Sequence, residues 1–179
     1  MRVSLVLILV LTVAVPAADL ESRAMTHYIP QDFLETIVRK EGWTEIVLKP
    51  YGGVRKGDFA RIWSGGMIDR GNGDRPGINV NGPSGLETGK IMPTEANKLA
   101  LSAEPQHGFA LLFKSDDGKV HKSQTPGKPL EIPLKENGKL FIGFNDLKGQ
   151  YNDNHLGKGR RYELDPAWVR VEIIRIVTD

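Results

Sequence analysis

The sequence predicts an all-β protein, an antiparallel β-sandwich with one short N-terminal helix. Three observations lead there. Beyond Trp43 the apolar residues fall in short runs of about four to eight rather than at sustained helical spacing. Turn formers drawn from 20 glycines and 11 prolines separate those runs at short intervals, as in sandwiches and barrels. One stretch alone, Gln31 to Lys40, spaces Phe33, Leu34 and Ile37 as a helix does, with Pro30 near its start and Gly42 just past its end.

Taken in order, residues 1–17 read as a signal peptide. Arg2 supplies a positive start, Val3 to Val15 is apolar, and Val15-Pro16-Ala17 offers small residues for cleavage. The apolar run is short of the about 20 residues that cross a bilayer, and no cysteine exists to acylate. The expectation is a secreted or periplasmic protein with no membrane span after signal cleavage. Residues 18–29 lack usable periodicity and are expected to form a flexible leader, so the domain is placed at 30–179, its helix covering one end of a sheet. Predicted strands follow at Thr44 to Lys49, Phe59 to Ser64, Ile78 to Asn81, Lys98 to Ser102 and Gly108 to Lys114. Asp116-Asp117-Gly118 turns the last of these into Lys119 to Lys122. Pro133 assigns Leu130 to Leu134 to a sheet edge, and Asn137-Gly138 predicts a hairpin into Lys139 to Asn145. In Trp168 to Val177 the apolar parity changes between Ile173 and Ile174, which predicts a bulge. Trp63 and Trp168 fall inside strands and are expected in the core. The residues contain neither an internal repeat nor a linker.

Composition narrows the function. A formal charge of +2 with dispersed basic residues does not describe a nucleic-acid binder. His27, His107, His121 and His155 lack zinc-like spacing, and neither Ser64 nor Ser84 sits in a nucleophile elbow. Asp146 and Asp153 are a formal acid and base pair, but a carboxylate that chelates an ion is a poor general acid. The protein is therefore expected not to be an enzyme.

The stretch with the most chemistry runs from Phe144 to Gly157. It concentrates Asn145, Asp146, Gln150, Asn152, Asp153 and Asn154 between two apolar strands. A hard cation such as Ca²⁺ takes about six to eight oxygens from carboxylates, amides, main-chain carbonyls and water. The same residue types also build surface turns. Counted from Asp146 the twelfth residue is Gly157 rather than Glu, so the loop is not an EF-hand.

Phe144-Asn145-Asp146, followed by Gly149, Tyr151, Asp153-Asn154 and Gly157, resembles the calcium loop of the PA-I-type galactophilic lectins, bacterial sugar-binding β-sandwiches of galactose-binding-domain-like, jelly-roll architecture. Gly57-Asp58, an alternating strand, then Gly65-Gly66 and Gly71 is similar to a second segment of that family, which sends a main-chain carbonyl to the metal. The resemblance covers roughly Tyr51 to Val177. It implies Asp146, Asp153 and Asn154 as side-chain ligands of Ca²⁺, with Gln150 and Arg70 giving main-chain oxygens. It also implies that Asp146, Gln150 and Asp153 contact a carbohydrate whose vicinal hydroxyls reach the ion. Tyr151, within the loop, is the candidate for stacking on a sugar ring. The family's His and Gln that hold the galactose hydroxymethyl group have no counterpart in residues 72–85, so the resemblance implies a sugar with vicinal hydroxyls without specifying galactose. The expected function is a secreted calcium-dependent carbohydrate-binding protein, with a homo-oligomer as the usual remedy for weak single sites. The alternative is an extracytoplasmic structural or adhesion β-sandwich with a protein partner, in which an ion only stiffens the loop.

Overall fold

Among the described residues ten strands and a short helix form, most of them from the predicted runs, distributed over two four-stranded antiparallel sheets and a small two-stranded one. The computed structural model describes residues 21–48, 55–70, 80–85, 93–124, 127–135, 138–156 and 165–177. The expected signal peptide and most of the long segment after Arg70 lie outside the described residues. Among the described residues no helix is long and apolar enough to cross a membrane.

The first sheet orders β1 (Glu21–Tyr28), β10 (Trp168–Val177), β3 (Phe59–Gly65) and β8 (Leu130–Pro133). The second orders β2 (Thr44–Ile46), β9 (Leu140–Phe144), β6 (Leu111–Ser115) and β7 (Val120–Lys122). β4 (Ile68–Asp69) and β5 (Val80–Asn81) pair separately. Alternation turns Ala60, Ile62, Val169, Val171 and Ile173 of the first sheet inward, together with Ile142, Leu140, Phe113 and Phe144 of the second. All belong to one apolar cluster, which also takes Leu34, Ile37 and Val38 from α1 (Gln31–Val38). Each such large side chain contributes about 1.5–3 kcal/mol by leaving water. The all-β class with one N-terminal helix stands. Outside it are a one-turn helix, α2 (Pro93–Ala96), and a 3₁₀ turn at Pro105–His107.

Several local expectations are corrected. The supposed leader is mostly β1, which pairs with β10 over its whole length, from Glu21 opposite Val177 to Tyr28 opposite Arg170. Main-chain pairing along one flank of β10 holds it in place, with Met25 packed against the core. Lys98 to Ser102 is no strand: it follows α2 as a turn and makes one bridge, Leu99 to Leu147. The turn at Gly138 does not close a hairpin, because β8 pairs with β3 while β9 pairs with β2 and β6, so the chain changes sheets there. The parity change in β10 is not a bulge: its register against β3 is unbroken from Trp168 opposite Gly65 to Ile174 opposite Phe59. Ile174 simply lies on the outer face, partly exposed. Trp63 and Trp168, both expected in the core, lie on that same face, Trp63 half-buried and Trp168 42 % exposed. The hairpin through Gly118 and the edge position of β8 agree with the sequence.

One ionic contact fixes the entry to β3. Asp58, 2 % exposed, accepts bonds from Arg175 Nε at 2.9 Å and Nη2 at 2.8 Å, and from the Arg55 amide at 2.8 Å. Burial pushes the Asp58 carboxyl up, but Arg175 and the Arg55 amide outweigh it and hold the pKa below its ordinary value. A bidentate guanidinium thus ties the start of β3 to the end of β10.

Candidate functional site

The loop leaves β9 under tight control. Asn145 is fully buried: its Oδ1 accepts from the amides of Leu101 (3.0 Å) and Ser102 (3.2 Å), and its Nδ2 donates to the carbonyls of Ser102 (3.0 Å) and His107 (2.9 Å). It acts as a pin between the loop and residues 101–107. Gly149, at φ 77°, lets the chain double back, with Gln150 N bonding Leu147 O at 3.0 Å. Tyr151 closes the fold beneath, its hydroxyl donating to Phe144 O at 2.9 Å and accepting from Asp146 N at 3.1 Å. Only 4 % of Tyr151 is exposed. The ring expected to stack on a sugar therefore supports the loop from inside and is withdrawn from the ligand-contacting set.

Two side chains are left with unusual electrostatics. Asp146 is 3 % and Asn154 0 % exposed. Asp146 Oδ1 accepts from the Leu147 amide at 2.6 Å, while its Oδ2 is buried with no hydrogen-bond partner. Asn154 donates from Nδ2 to Val38 O at 2.9 Å, and its Oδ1 is likewise buried and unpartnered. Burial drives the Asp146 pKa up to about 6, with Asp153 adding to the rise; the Leu147 amide, the Asn154 side chain and Arg70 only partly offset it. Buried polar atoms without partners are uncommon and costly. Here both are oxygens, one of them anionic, on the same loop.

The second predicted segment arrives beside them. Gly66, at φ 72°, makes the bend out of β3, where a Cβ would stand 2.2 Å from Pro166 O, so only glycine fits. β4 follows, and Asp69 exchanges both main-chain bonds with His155, at 2.8 and 2.7 Å. Arg70 thus comes directly off the strand bonded to the residue after Asn154. Its guanidinium lies 3.8 Å from the centroid of the Phe109 ring. Burial lowers the Arg70 pKa, while attraction to Asp146 and Asp69 raises it. The structure therefore brings Asp146, Asn154 and Arg70 together, and adds a cation's charge where the sequence reading used Arg70 only for its carbonyl. Gln150 and Asp153 are exposed on the outer side of the loop.

The helix contributes what the sequence reading missed. Glu35 accepts from the Leu156 amide at 2.8 Å and meets His155 Nδ1 at 3.0 Å. Glu41 accepts from Gly149 N at 2.9 Å, Arg39 donates to Asn152 O at 3.0 Å, and the Val38 carbonyl holds Asn154. α1 does more than cover a sheet end: it holds residues 154–156, and the turn after it, from Arg39 to Glu41, holds Gly149 and Asn152, so together they brace the loop along its length. The available signal was the set of polar residues flanking the apolar face of Leu34, Ile37 and Val38.

Among the described residues no three His, Cys, Asp or Glu side chains gather as a metal cluster. A cation here would depend on one buried carboxylate, amide and main-chain oxygens, a donor set suited to a hard ion. Ser102 Oγ lies 2.8 Å from His107 Nδ1, with Glu104 3.5 Å from Nε2. These three share one tight turn, in which the same hydroxyl accepts from the Glu104 amide at 3.4 Å. No family model matches the chain, and no curated protein matches it either.

Proposed function

We propose that the protein is a calcium-dependent carbohydrate-binding module of lectin type, built on a β-sandwich. The observation that carries this reading is the pair of buried, partnerless oxygens, Asp146 Oδ2 and Asn154 Oδ1. Both are acceptors, so a cation would satisfy both at once and complete the compensation that Arg70 and the Asn154 side chain give the Asp146 charge only in part. Asp146, Asn154 and Asp153 would hold Ca²⁺ with main-chain oxygens of Gln150 and Arg70. Bound there, the ion supplies open coordination positions for two adjacent hydroxyls of a sugar ring. The protein's part is to keep the loop rigid before binding, through Tyr151, Asn145 and α1, which limits the ordering cost of association. The reading involves no bond making or breaking, and it places the protein outside the cell or in the periplasm.

The bracing by α1 and the Arg70 charge favour a second reading, in which the loop is a structural element and the partner is a protein. Calorimetric titration of calcium, followed by a glycan array with and without chelator, separates the two. Calcium binding with chelator-sensitive sugar signals supports the lectin. Calcium binding that raises thermal stability without any sugar signal supports the structural role, and no calcium binding at millimolar concentration rejects the proposal.

A further inference from the structure

The outer face of the first sheet carries a feature unrelated to the loop. Across β1, β10 and β3 the register places Tyr28 opposite Arg170 and Arg170 opposite Trp63, with Trp168 opposite Gly65. All five are on the outward parity. Tyr28 is 65 % and Trp168 42 % exposed. The indole lies over the sheet: Cε2, Cζ2 and Nε1 are each 2.8 Å from where a Cβ would stand on Gly65. Three contiguous ring atoms at one distance put that position off the ring plane, so the indole leans over the glycine at its pyrrole edge while 42 % of Trp168 stays exposed. Arg170 lies 5.1 Å from the centroid of Trp63 and covers that second indole.

The surroundings select the occupant. The nearby charges cancel in pairs, Arg61 with Glu131 at 2.8 Å and Arg170 with Glu172 at 3.1 Å, and Arg61 stands opposite Glu172 in the register. A face with no net charge has nothing to offer a polyphosphate or an acidic polymer. Apart from Phe59, 37 % exposed at the far end of β3, the exposed aromatic surface is small as well. An aromatic side chain buries about 150–250 Å² when fully covered, so these two partly exposed rings offer on the order of 200 Å². A stable protein interface needs about 800 Å² per partner. Tyr28 and Trp168 stand diagonally across neighbouring strands, about 7–8 Å apart at the main chain. That is room for adjoining rings of one oligosaccharide.

We infer that Tyr28 and Trp168 form a second, calcium-independent carbohydrate subsite, which takes a neutral β-linked glycan. A pyranose with equatorial hydroxyls presents a flat face of C–H groups that packs on an exposed indole, leaving its hydroxyls in water. The inference does not rest on the loop reading, because no cation and no loop residue takes part.

The test titrates cellohexaose into the full chain in EDTA by isothermal calorimetry, a readout that stays usable when Trp168 is replaced. Saturable heat is expected in the wild type and in Asp146→Ala, with binding weakened at least tenfold in Trp168→Ala and in Tyr28→Ala, and partly restored in Trp168→Phe. Melting curves confirm that each variant is folded, and Tyr28, being largely exposed, tolerates truncation even if Trp168 does not. Unchanged binding in the Tyr28→Ala or folded Trp168→Ala variant overturns the inference, as does the absence of saturable heat with the wild type. A concentration-dependent dimer dissolved by Trp168→Ala would assign the face to a second copy of the chain and overturn it equally. Loss of calcium-dependent binding in Asp146→Ala with cellohexaose binding intact distinguishes failure at the loop from failure here.

Discussion

Replacing Asp146 with asparagine should make the calcium-free protein more stable at neutral pH. Its carboxyl has a folded-state pKa of about 6 against an ordinary 3.8. Because the folded pKa is the higher one, the folded state holds the extra proton between those values. The penalty is absent below about pH 4, grows as pH rises toward 6, and is complete above it. A shift of about two units corresponds to about 3 kcal/mol. Asparagine keeps the shape and an oxygen for the Leu147 amide without carrying the charge. In EDTA at pH 7.5 the variant should therefore melt roughly 6–12 °C above the wild type, and the difference should shrink toward zero at pH 4. Calcium at about a hundred times its Kd should add about 2.7 kcal/mol to the wild type and nothing to the variant. A variant no more stable than the wild type at pH 7.5, or equally shifted at both pH values, would refute the claim that Asp146 is a strained buried charge. Calcium stabilising both proteins alike would place the ion elsewhere.

Tyr151→Phe removes the hydroxyl that ties Asp146 N to Phe144 O. A cost of about 1–3 kcal/mol is expected in urea unfolding, with weaker calcium affinity by calorimetry because the loop is no longer held in place. Arg175→Ala leaves Asp58 buried with only the Arg55 amide, which should cost about 3 kcal/mol. Since the Asp58 pKa is depressed in the folded state, its stabilisation is present above the ordinary carboxylate range and lost on acidification. Melting followed down to pH 2 should show wild type and variant converging.

The sequence disclosed the strands whose burial alternates strongly: β3, β6 and β9 lie where apolar periodicity puts them, and the glycine at 66 marks a bend that admits no side chain. It hid β1, because among its described side chains Met25 alone packs against the core, and one apolar residue makes no alternation to read. It also misassigned Trp168, because an indole can lean over a glycine on a strand's outer face, a relation set by pairing register rather than by residue type. At the loop, Asp146 and Asn154 could be picked from the string of Asn and Asp, but their isolation from donors depends on which side chains turn inward. Glu35 and Glu41 were invisible for a related reason: the residues they bind are more than a hundred positions away.

The pairing of β1 with β10 and the clasp of α1 on residues 154–156 set the order of assembly. The earliest described strand has its only described partner in the last, and the helix that follows has hydrogen-bonding partners near residue 155. Such long sequence separations are closed late and slowly. A chain that has not yet supplied residues 154–156 and β10 thus has neither a finished first sheet nor a braced loop.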